Sequence, residues 1–449
     1  MNENLTDQTL PNSNLPGTDS EMLDNLRRCT FDYFRNEVNP LNGLIADKTQ
    51  PGSPSSIAAV GLGLSAYIVA VERALLSRPE AVDRTLVLLR FFHSSHQGPE
   101  ADATGYKGFY YHFLDMQTGR RAWECELSTV DTAIFMAGVL TAASYFTAKS
   151  EEESEIRQLA ENLYQRIDWQ WALNGGTTVC HGWKPESGFL PFRWDTGYSE
   201  ALILYALALG SPTFPIDPKG YSEWIATFEW KKIYDIEYLY AGPLFIHQMS
   251  HLWLDFRGIH DEFNRTSGID YFENSRRATY VQQQYGIANP FGFAHYHKFG
   301  WGLTASDGPG PALLDVNGIR RVFYDYDARG VPFGPDDGTI SPWAVVASLP
   351  FAPEIVIDTI RHAIERLNLK GHSLYGFDAS FNATYPETSR NPHGWVSPWI
   401  FGLNQGPIIL MIENFQSELI WRTIRQCSYI VAGLRRAGFR DGWLDNEQS

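Results

Sequence analysis

Two kinds of helical segment alternate along this chain, and their alternation restricts the fold more than any other feature. Residues 57–66 (IAAVGLGLSA) and 201–209 (ALILYALAL) are apolar on every side, whereas residues 151–169 have one apolar and one polar face. A helix that is apolar all round is buried, and a one-faced helix covers it from outside. The alternation therefore predicts helical hairpins arranged as two concentric rings.

The periodic segments number about twelve, which fits a single all-α (α/α)6 barrel, a double ring of helices. An irregular helical bundle with a β subdomain is the alternative. The predicted helices span residues 20–36, 56–77, 79–95, 128–147, 152–170, 197–209, 244–256, 262–284, 341–349, 353–367, 407–421 and 423–437.

Two short β-hairpins are predicted as excursions from the helical body. Residues 106–123 place the turn Gln117-Thr118-Gly119 between aromatic-rich arms, and residues 314–326 contain Asn317-Gly318, a strong hairpin signal. The length of 449 residues permits about three domains, but no linker or change of composition divides the chain. We therefore expect a flexible tail over residues 1–18 and one catalytic domain over residues 19–445.

The net charge of −16, from 52 acidic and 36 basic residues, limits the classes of partner. A field of this sign repels phosphate backbones and anionic lipid, which argues against nucleic-acid binding and against a membrane-surface role. No apolar run reaches the roughly 18 residues of a membrane-spanning helix, so we expect no membrane insertion.

The N-terminal residues are polar and lack the basic and apolar regions of a signal peptide. On that basis we expect a cytoplasmic protein, or a periplasmic or secreted one if a leader has been trimmed. The four cysteines lie far apart and form no CxxC pair, so neither a disulfide framework nor a cysteine metal site is expected.

Two acidic segments run into helices that are expected to be buried, namely residues 123–133 (WECELSTVDTA) and 193–201 (RWDTGYSEA). A structural explanation exists for each: Ser128 and Asp131 match a helix-capping box, and the helix dipole favours an acid at Glu200. The candidate catalytic carboxylates in these segments are Glu124, Glu126, Asp131 and Glu200.

Taken together, the two segments also predict a catalytic site. In a double ring the inner helices point the same way, so acids at two inner N-termini can face each other across a cleft. Glycoside hydrolysis needs such a pair, with one protonated acid and one carboxylate that acts as base or nucleophile. Burial or a neighbouring anion must raise the pKa of the acid partner. The sequence leaves open which of Glu124, Glu126 and Asp131 pairs with Glu200.

Aromatic residues make up 14% of the chain, and several of them surround the acidic segments. Most rings are expected to pack the core, but flat amphipathic rings also suit the faces of sugars. His181 and Arg193 are expected to hydrogen-bond sugar hydroxyls. The rings expected to contact substrate are Trp123, Trp183, Trp194, Tyr198 and Trp301.

Metal and cofactor motifs are incomplete or missing. His247 and His251 are spaced like the zinc ligands of HExxH, but Gln248 replaces the glutamate and a third ligand is missing, so ordinary hydrogen bonds are expected. The residues 336–338 (DDG) indicate a turn. The chain has no phosphate-binding glycine loop and no GxSxG motif. We therefore expect catalysis with no metal and no cofactor.

Several short stretches stand in an order and spacing that are specific when taken together, and they extend over nearly the whole chain. They include residues 43–47 (GLIAD), 56–64 (SIAAVGLGL), 126–133 (ELSTVDTA), 198–200 (YSE), 337–342 (DGTISP) and 404–407 (NQGP). In these stretches the chain resembles the glycoamylase-like family. That family includes endo-β-1,2-glucanases (sophorohydrolases) and the cyclising domain of cyclic β-1,2-glucan synthases.

The resemblance implies an (α/α)6 barrel and a β-glucan substrate, with the 1,2-linked polymer favoured. It implies an essential catalytic carboxylate at Glu200 and an acid role within the group formed by Glu124, Glu126 and Asp131. We further expect Asn404 and Gln405 to contact substrate.

The predicted function is endo-type hydrolysis of β-1,2-glucan or its oligosaccharides by a monomer, whose partner is a neutral glucan. The alternatives are a transglycosylase on the same glucans and a non-catalytic sugar-binding protein. A polysaccharide lyase acts on uronic acids and needs a basic cleft, which the negative charge disfavours.

Overall fold

The computed structural model describes residues 18–370, 374–386 and 394–446, and most of its elements are helices. Three short 3-10 turns, Trp171–Leu173, Leu244–His247 and Met249–Leu252, accompany them. The α-helices are α1 (Asp19–Asn36), α2 (Ile57–Glu72), α3 (Arg78–Ser94), α4 (Thr129–Tyr145), α5 (Glu151–Gln165), α6 (Leu202–Gly210), α7 (Pro218–Ile225), α8 (Glu262–Ser267), α9 (Tyr271–Ala288), α10 (Pro342–Ala347), α11 (Pro353–Glu365), α12 (Gly402–Ser417), α13 (Leu419–Ile424), α14 (Ser428–Arg436) and α15 (Trp443–Asn446).

The strands are short and all of the named pairs are antiparallel. One sheet has five strands in the order β2-β3-β5-β6-β7, and the other described sheets have two strands each. The strands are β1 (Ser55–Ser56), β2 (Gly105–Tyr106), β3 (Phe109–Tyr111), β4 (Phe113–Leu114), β5 (Leu127–Ser128), β6 (Gly182–Lys184), β7 (Gly188–Phe189), β8 (Trp230–Ile233), β9 (Ile236–Leu239), β10 (Ala305–Ser306), β11 (Ala312–Val316), β12 (Ile319–Phe323), β13 (Asp327–Ala328), β14 (Phe381–Asn382) and β15 (Trp395–Val396).

The helices fall into the two classes that the sequence pattern predicts. Every residue of α6 and α10 is buried, and α2 is buried from its first residue to Ala70. The helices α1, α5, α11 and α14 instead bury one face only. The molecule is therefore helix-rich and of the α/α type, with apolar helices covered by amphipathic ones.

The buried helices pack directly on one another. Helix α2 lies between α4 and α12, α4 also contacts α6, and α10 contacts α12. Glycine permits the closest of these approaches, because a Cβ on Gly61 of α2 would lie 2.6 Å from the Cα of Phe135 in α4. Opposite it, a Cβ on Gly138 of α4 would lie 2.1 Å from the carbonyl oxygen of Gly61. This contact brings the N-termini of α2 and α4 close together.

Short strands place side chains at those N-termini. Strand β5 leads directly into α4, and β3 pairs with it so that Tyr111 lies opposite Leu127. Next in the chain, the N–H of His112 donates to the carbonyl of Glu126 at 2.9 Å, and its own carbonyl accepts from the N–H of Ile57 at 3.2 Å. His112 is thereby held between the starts of α2 and α4.

Several helix boundaries differ from the predicted ones for local reasons. The predicted helix 197–209 begins only at Leu202, and segment 244–256 forms two 3-10 turns. Segment 262–284 splits into α8 and α9, because Gly268 adopts a left-handed conformation (φ +73°) and Asp270 caps a new helix. The hairpin over β11 and β12 turns at Asn317-Gly318 as predicted, whereas the β8–β9 hairpin and α7 were not predicted.

Two further predictions are a flexible N-terminal tail and cysteines without a disulfide framework. The predicted tail lies outside the described residues except for Thr18, which caps α1 in a capping box with Glu21. All four cysteines are free thiols. In the part of the chain that the structure describes, no helix is both long enough and apolar enough to cross a membrane.

Candidate active site

A cavity of about 580 Å³ opens where the first turns of the buried helices meet. Side chains at or just before the N-termini of α2, α4, α6, α10 and α12 contribute to its wall. The acidic members of the wall are Asp47, Glu126, Asp131, Glu200, Asp307 and Asp325, and its basic side chains are Lys48, His112 and His181.

Glu200 lies two residues before the first residue of α6 and faces the cavity. Its backbone carbonyl accepts a hydrogen bond from the hydroxyl of Ser250 at 2.8 Å, which fixes the chain at this point. Burial raises the pKa of Glu200 to about 7, and the charge of Asp131 acts in the same direction. A glutamic acid with this pKa is protonated in part at neutral pH and can donate a proton.

Asp131 lies in the first turn of α4, where both its backbone N–H and its carboxylate contact the hydroxyl of Ser128. The hydroxyl of Ser128 caps the helix by accepting from the N–H of Asp131 at 3.2 Å. The same hydroxyl donates to Oδ2 of Asp131 at 2.5 Å. The capping interpretation therefore holds for Ser128, while the Asp131 carboxylate bonds to the serine side chain and lines the cavity.

His112 lies between two of the candidate carboxylates. Its Nδ1 is 3.0 Å from Oε1 of Glu126, and its Nε2 is 3.7 Å from Oδ2 of Asp131. Burial alone would lower the pKa of this imidazole, but the negative charges of Asp131, Glu126 and, further away, Asp47 raise it to about 9. The imidazolium in turn lowers the pKa of Glu126 through their hydrogen bond. His112 is thus a cation that favours the ionised carboxylate next to it.

The cavity wall carries a second group of charges. Burial raises the pKa of Asp47 to about 6, while His112 and Lys48 oppose that rise. The ammonium group of Lys48 lies 5.3 Å above the ring of Phe401. Asp307 accepts a hydrogen bond from the hydroxyl of Ser397 at 2.6 Å, and burial raises its pKa. These groups offer hydrogen bonds to a hydroxyl-rich ligand.

Predicted substrate-binding residues that do lie in the cavity wall are Trp123, His181, Trp194 and Asn404. The indole of Trp194 stacks on the imidazole of His181 at 3.8 Å, and its N–H donates to the hydroxyl of Thr129 at 3.0 Å. Trp123 is 61% exposed, so its ring is open to a ligand at the rim of the cavity.

The structure corrects the prediction for Glu124 and Trp183, because neither residue lines the cavity. Glu124 is exposed in a left-handed turn (φ +50°) beside Trp123, where its carbonyl accepts from Arg121. The side chain of Trp183, on strand β6, packs on the ring of Tyr106 at 5.3 Å. The turn directs Glu124 outward, and the strand directs Trp183 into an aromatic cluster.

Arg193 and Tyr198 are also absent from the cavity wall, against the prediction. The guanidinium of Arg193 donates to the carbonyls of Leu173 and Thr178 at 3.0 and 2.6 Å, so it ties a loop together. The ring of Tyr198 is buried and stacks parallel to the ring of Tyr271 at 5.7 Å.

Trp301 and Gln405 are likewise buried in the core and do not line the cavity. The Trp301 side chain is fully buried, and its N–H donates to the hydroxyl of Thr359 at 3.2 Å. The amide group of Gln405 donates to the carbonyl of Phe377 at 3.3 Å. One residue along a helix turns a side chain by about 100°, so Gln405 leaves the wall that its neighbour Asn404 lines.

The sequence prediction missed several groups that the fold brings to the cavity. His112 lies between strands β3 and β4, and the segment of Asp47 and Lys48 is held by isolated bridges from Ala46 to Ser55 and from Lys48 to Phe401. The sequence did not reveal these pairings. One signal was present, because Asp47 ends the stretch GLIAD that carries the family resemblance. Rings missed in the same way are Phe113, Phe245, Tyr326, Trp343 and Phe401.

The HExxH-like histidines are structural, as predicted. Nε2 of His247 lies 3.2 Å from the carbonyl of Ala241, and Nε2 of His251 lies 3.0 Å from the hydroxyl of Ser275. Burial lowers the pKa of His247 to about 4 and that of His251 to about 3. Both imidazoles are therefore neutral and hydrogen-bonded in the core.

A family model described as "Putative glucoamylase" matches residues 191–428, which is more than half of the chain. The chain belongs to this glycoamylase family. A structure of a protein named as a putative glucoamylase from Bacteroides uniformis is 30% identical, covers 95% of this chain and 99% of its own, and superposes with a TM-score of 0.82.

Two relatives carry names that state an activity. The endo-β-1,2-glucanase of Chitinophaga pinensis, solved with sophorotriose and glucose, is 25% identical over 94% of this chain and 99% of its own, with a TM-score of 0.82. The exo β-1,2-glucooligosaccharide sophorohydrolase (non-reducing end) of Parabacteroides distasonis is 27% identical over 97% of this chain. The chain spans 60% of the length of that sophorohydrolase.

Proposed function

We propose that this protein is a glycoside hydrolase that cleaves β-1,2-linked glucan or its oligosaccharides. One observation carries the proposal. Glu200, with its pKa raised to about 7, and Asp131, beside the His112 cation, line the same cavity. Acid-catalysed glycoside cleavage requires two carboxyl groups, one that donates a proton and one that acts as base or nucleophile.

Glu200 is the proposed general acid. Its protonated carboxyl group donates to the glycosidic oxygen as the bond to the anomeric carbon breaks, so the leaving sugar departs as a neutral alcohol. The charge of Asp131, in the same cavity, also raises the pKa of Glu200 and so helps to keep the proton on Glu200 until substrate arrives.

Asp131 is the proposed base or nucleophile. His112 and the hydroxyl of Ser128 both contact its Oδ2. Glu126 holds the imidazole from its other side. Asp131 therefore either activates a water molecule or attacks the anomeric carbon, whereas Glu126 orients His112.

Three observations support a neutral β-glucan as the substrate. The acidic groups of the cavity outnumber the basic ones, so an anionic sugar is repelled. Trp123 and Trp194 offer apolar rings beside polar side chains, which matches the faces and edges of a pyranose. The relatives from Chitinophaga pinensis and Parabacteroides distasonis are named for action on β-1,2-linked glucose.

The finer architecture proposed for this function is one (α/α)6 barrel that forms a single catalytic domain over residues 19–445. The alternation of buried and one-faced helices supports a double ring, and α1 packs against α12, which joins the two ends of the chain. The proposed site needs no residue from a second copy, and the proposed state of the enzyme is a monomer.

The test is incubation with 1,2-, 1,3-, 1,4- and 1,6-linked glucans, read by mass spectrometry of the products. We expect cleavage of the 1,2-linked polymer alone. Endo-type cleavage, as predicted, releases a mixture of chain lengths. Release of sophorose alone would instead indicate the exo activity for which the Parabacteroides distasonis relative is named.

The alternative functions give different results in the same assay. A transglycosylase produces oligosaccharides longer than the starting material, and a sugar-binding protein retains the glucan without turnover. No turnover of the 1,2-linked glucan by wild-type protein would contradict the proposal.

A further inference from the structure

Three histidines converge at a place that the proposed reaction does not use. His295 and His297 lie in the connection between α9 and β10, and His362 lies in the last turn of α11. One ring nitrogen from each lies within 4.8 Å of those of the other two, and all three side chains are partly buried. None of the three lines the catalytic cavity.

We propose that His295, His297 and His362 form a binding site for a divalent transition metal of the zinc class. Zinc binds imidazole nitrogens tetrahedrally at about 2.0–2.1 Å, so two nitrogens on one ion lie about 3.3 Å apart. The three nitrogens already lie within 4.8 Å of one another, and a bound ion would draw them closer together. A purely imidazole set prefers Zn²⁺, Ni²⁺ or Cu²⁺ to Ca²⁺ or Mg²⁺, which require oxygen ligands.

The surrounding chain holds these rings in position before an ion binds. The N–H of Gly300 donates to the carbonyl of His297 at 2.8 Å and closes a tight turn around that residue. Next to His297, the hydroxyl of Tyr296 donates to Asp336 at 2.7 Å and fixes the loop. The ring of His362 stacks on Phe299 at 5.0 Å. A bound ion would therefore join this loop to α11.

Two features at and beside His297 oppose binding, and both are weaker than a metal–imidazole bond. The N–H of Phe299 donates to Nδ1 of His297 at 3.2 Å, and ligation through Nε2 replaces this single hydrogen bond. The ammonium of Lys298 repels a cation, but the side chain is exposed and lies over the ring of Phe299, so water screens its charge.

The experiment is calorimetric titration of ZnCl₂ into the full chain after removal of metals, together with thermal unfolding with and without Zn²⁺. We expect one ion per chain and an increase of several degrees in Tm at saturation, because an ion that binds only the folded state stabilises it. Loss of an outer-shell partner typically weakens metal binding about 10- to 100-fold, so His297→Ala and His362→Gln should each cost at least that much.

His93→Ala is the matched control, because His93 is an exposed histidine on α3 and should leave Zn²⁺ binding unchanged. The Tm of each variant without metal shows whether it folds. Binding that is absent in wild type, or equally strong in wild type and in the His297 and His362 variants, would overturn the proposal. Glucan hydrolysis should persist in EDTA, so this site and the proposed function can fail independently.

Discussion

Nδ1 of His112 lies 3.0 Å from Oε1 of Glu126, and this contact organises the charges of the proposed active site. Because one ring nitrogen is engaged by Glu126, the other faces Asp131 at 3.7 Å. The positive charge remains on the imidazole at neutral pH, since the pKa of His112 is raised to about 9. Asp131 therefore has a permanent cation as its neighbour, whereas Glu200 has Asp131, an anion.

Replacement of the proposed acid tests the site most directly. Loss of a positioned general acid typically costs about 10²–10⁴-fold in rate, and we expect Glu200→Gln to lose at least about 10²-fold in kcat. Glu124→Gln is the matched control, because Glu124 is exposed outside the cavity and should keep full activity. Hydrolysis of β-1,2-glucan by Glu200→Gln at the wild-type rate would contradict the assignment.

The activity of wild type should fall as the pH rises through about 7. The acid works only when protonated, and the pKa of Glu200 is about 7, so kcat/KM should decrease about tenfold per pH unit above that value. Asp47→Asn is the control, because Asp47 also titrates in the cavity, with a pKa of about 6. If the alkaline limb of the pH–rate profile shifts in Asp47→Asn but does not shift when Glu200 is substituted, Asp47 is the acid.

Glu200 should also affect stability in a pH-dependent manner. Burial raises its pKa in the folded state to about 7, above the ordinary value of 4.5, so folding favours the protonated form. The stability associated with that proton is complete below pH 4.5 and is lost as the pH rises through 7. Thermal unfolding should therefore show equal Tm values for Glu200→Gln and wild type at acidic pH, and a higher Tm for the variant at pH 8.

Asp131→Asn separates chemistry from helix capping. The Ser128 hydroxyl caps α4 through the backbone N–H of residue 131, which the substitution leaves intact. We therefore expect a folded protein with an unchanged Tm and a kcat lowered at least about 10²-fold. Ser128→Ala should instead act mainly on stability, because loss of the cap lowers the free energy of unfolding by about 1 kcal/mol. Poor folding of Asp131→Asn would identify Asp131 as mainly structural.

His112→Gln keeps a hydrogen-bonding group in place but removes the cation. Glu126 then loses the contact that lowers its pKa, and the carboxylates of the cavity repel one another without compensation. We expect kcat to fall at least about tenfold. The acidic limb of the pH–rate profile should move to higher pH, because ionised carboxylates are no longer favoured. A uniform loss of rate with an unchanged pH profile would show that His112 contributes only packing.

Trp123→Ala should affect binding rather than chemistry. The ring is 61% exposed at the rim, so its removal should leave Tm nearly unchanged. An aromatic contact contributes about 0.5–1.5 kcal/mol, which corresponds to a rise in KM of about 2- to 10-fold with kcat retained. Trp183→Phe is the control, because Trp183 lies in the aromatic cluster outside the cavity, and this variant should keep the wild-type KM.

Helix periodicity correctly predicted which segments form the fully buried helices, although not where each of them begins. All nine residues of α6 and the first turns of α2 are apolar in sequence and buried in the structure. Boundaries failed where local turn chemistry competes with periodicity, as at Gly268 between α8 and α9. The residues of the 3-10 turns before Trp253 showed the same apolar pattern as a helix, so the sequence did not distinguish the two.

The sequence by itself determined the apolar and amphipathic helices, the family, and the presence of acids at the starts of α4 and α6, because these depend on local periodicity and on short motifs. Only the tertiary structure decided which side chains share the cavity. His112 reaches it through the pairing of β3 with β5, and Asp47 through the isolated bridges of its neighbours Ala46 and Lys48. Trp183, Arg193, Tyr198 and Gln405 find partners elsewhere. The physical reason is that orientation and pKa depend on burial and on charges distant in sequence, which no local pattern contains.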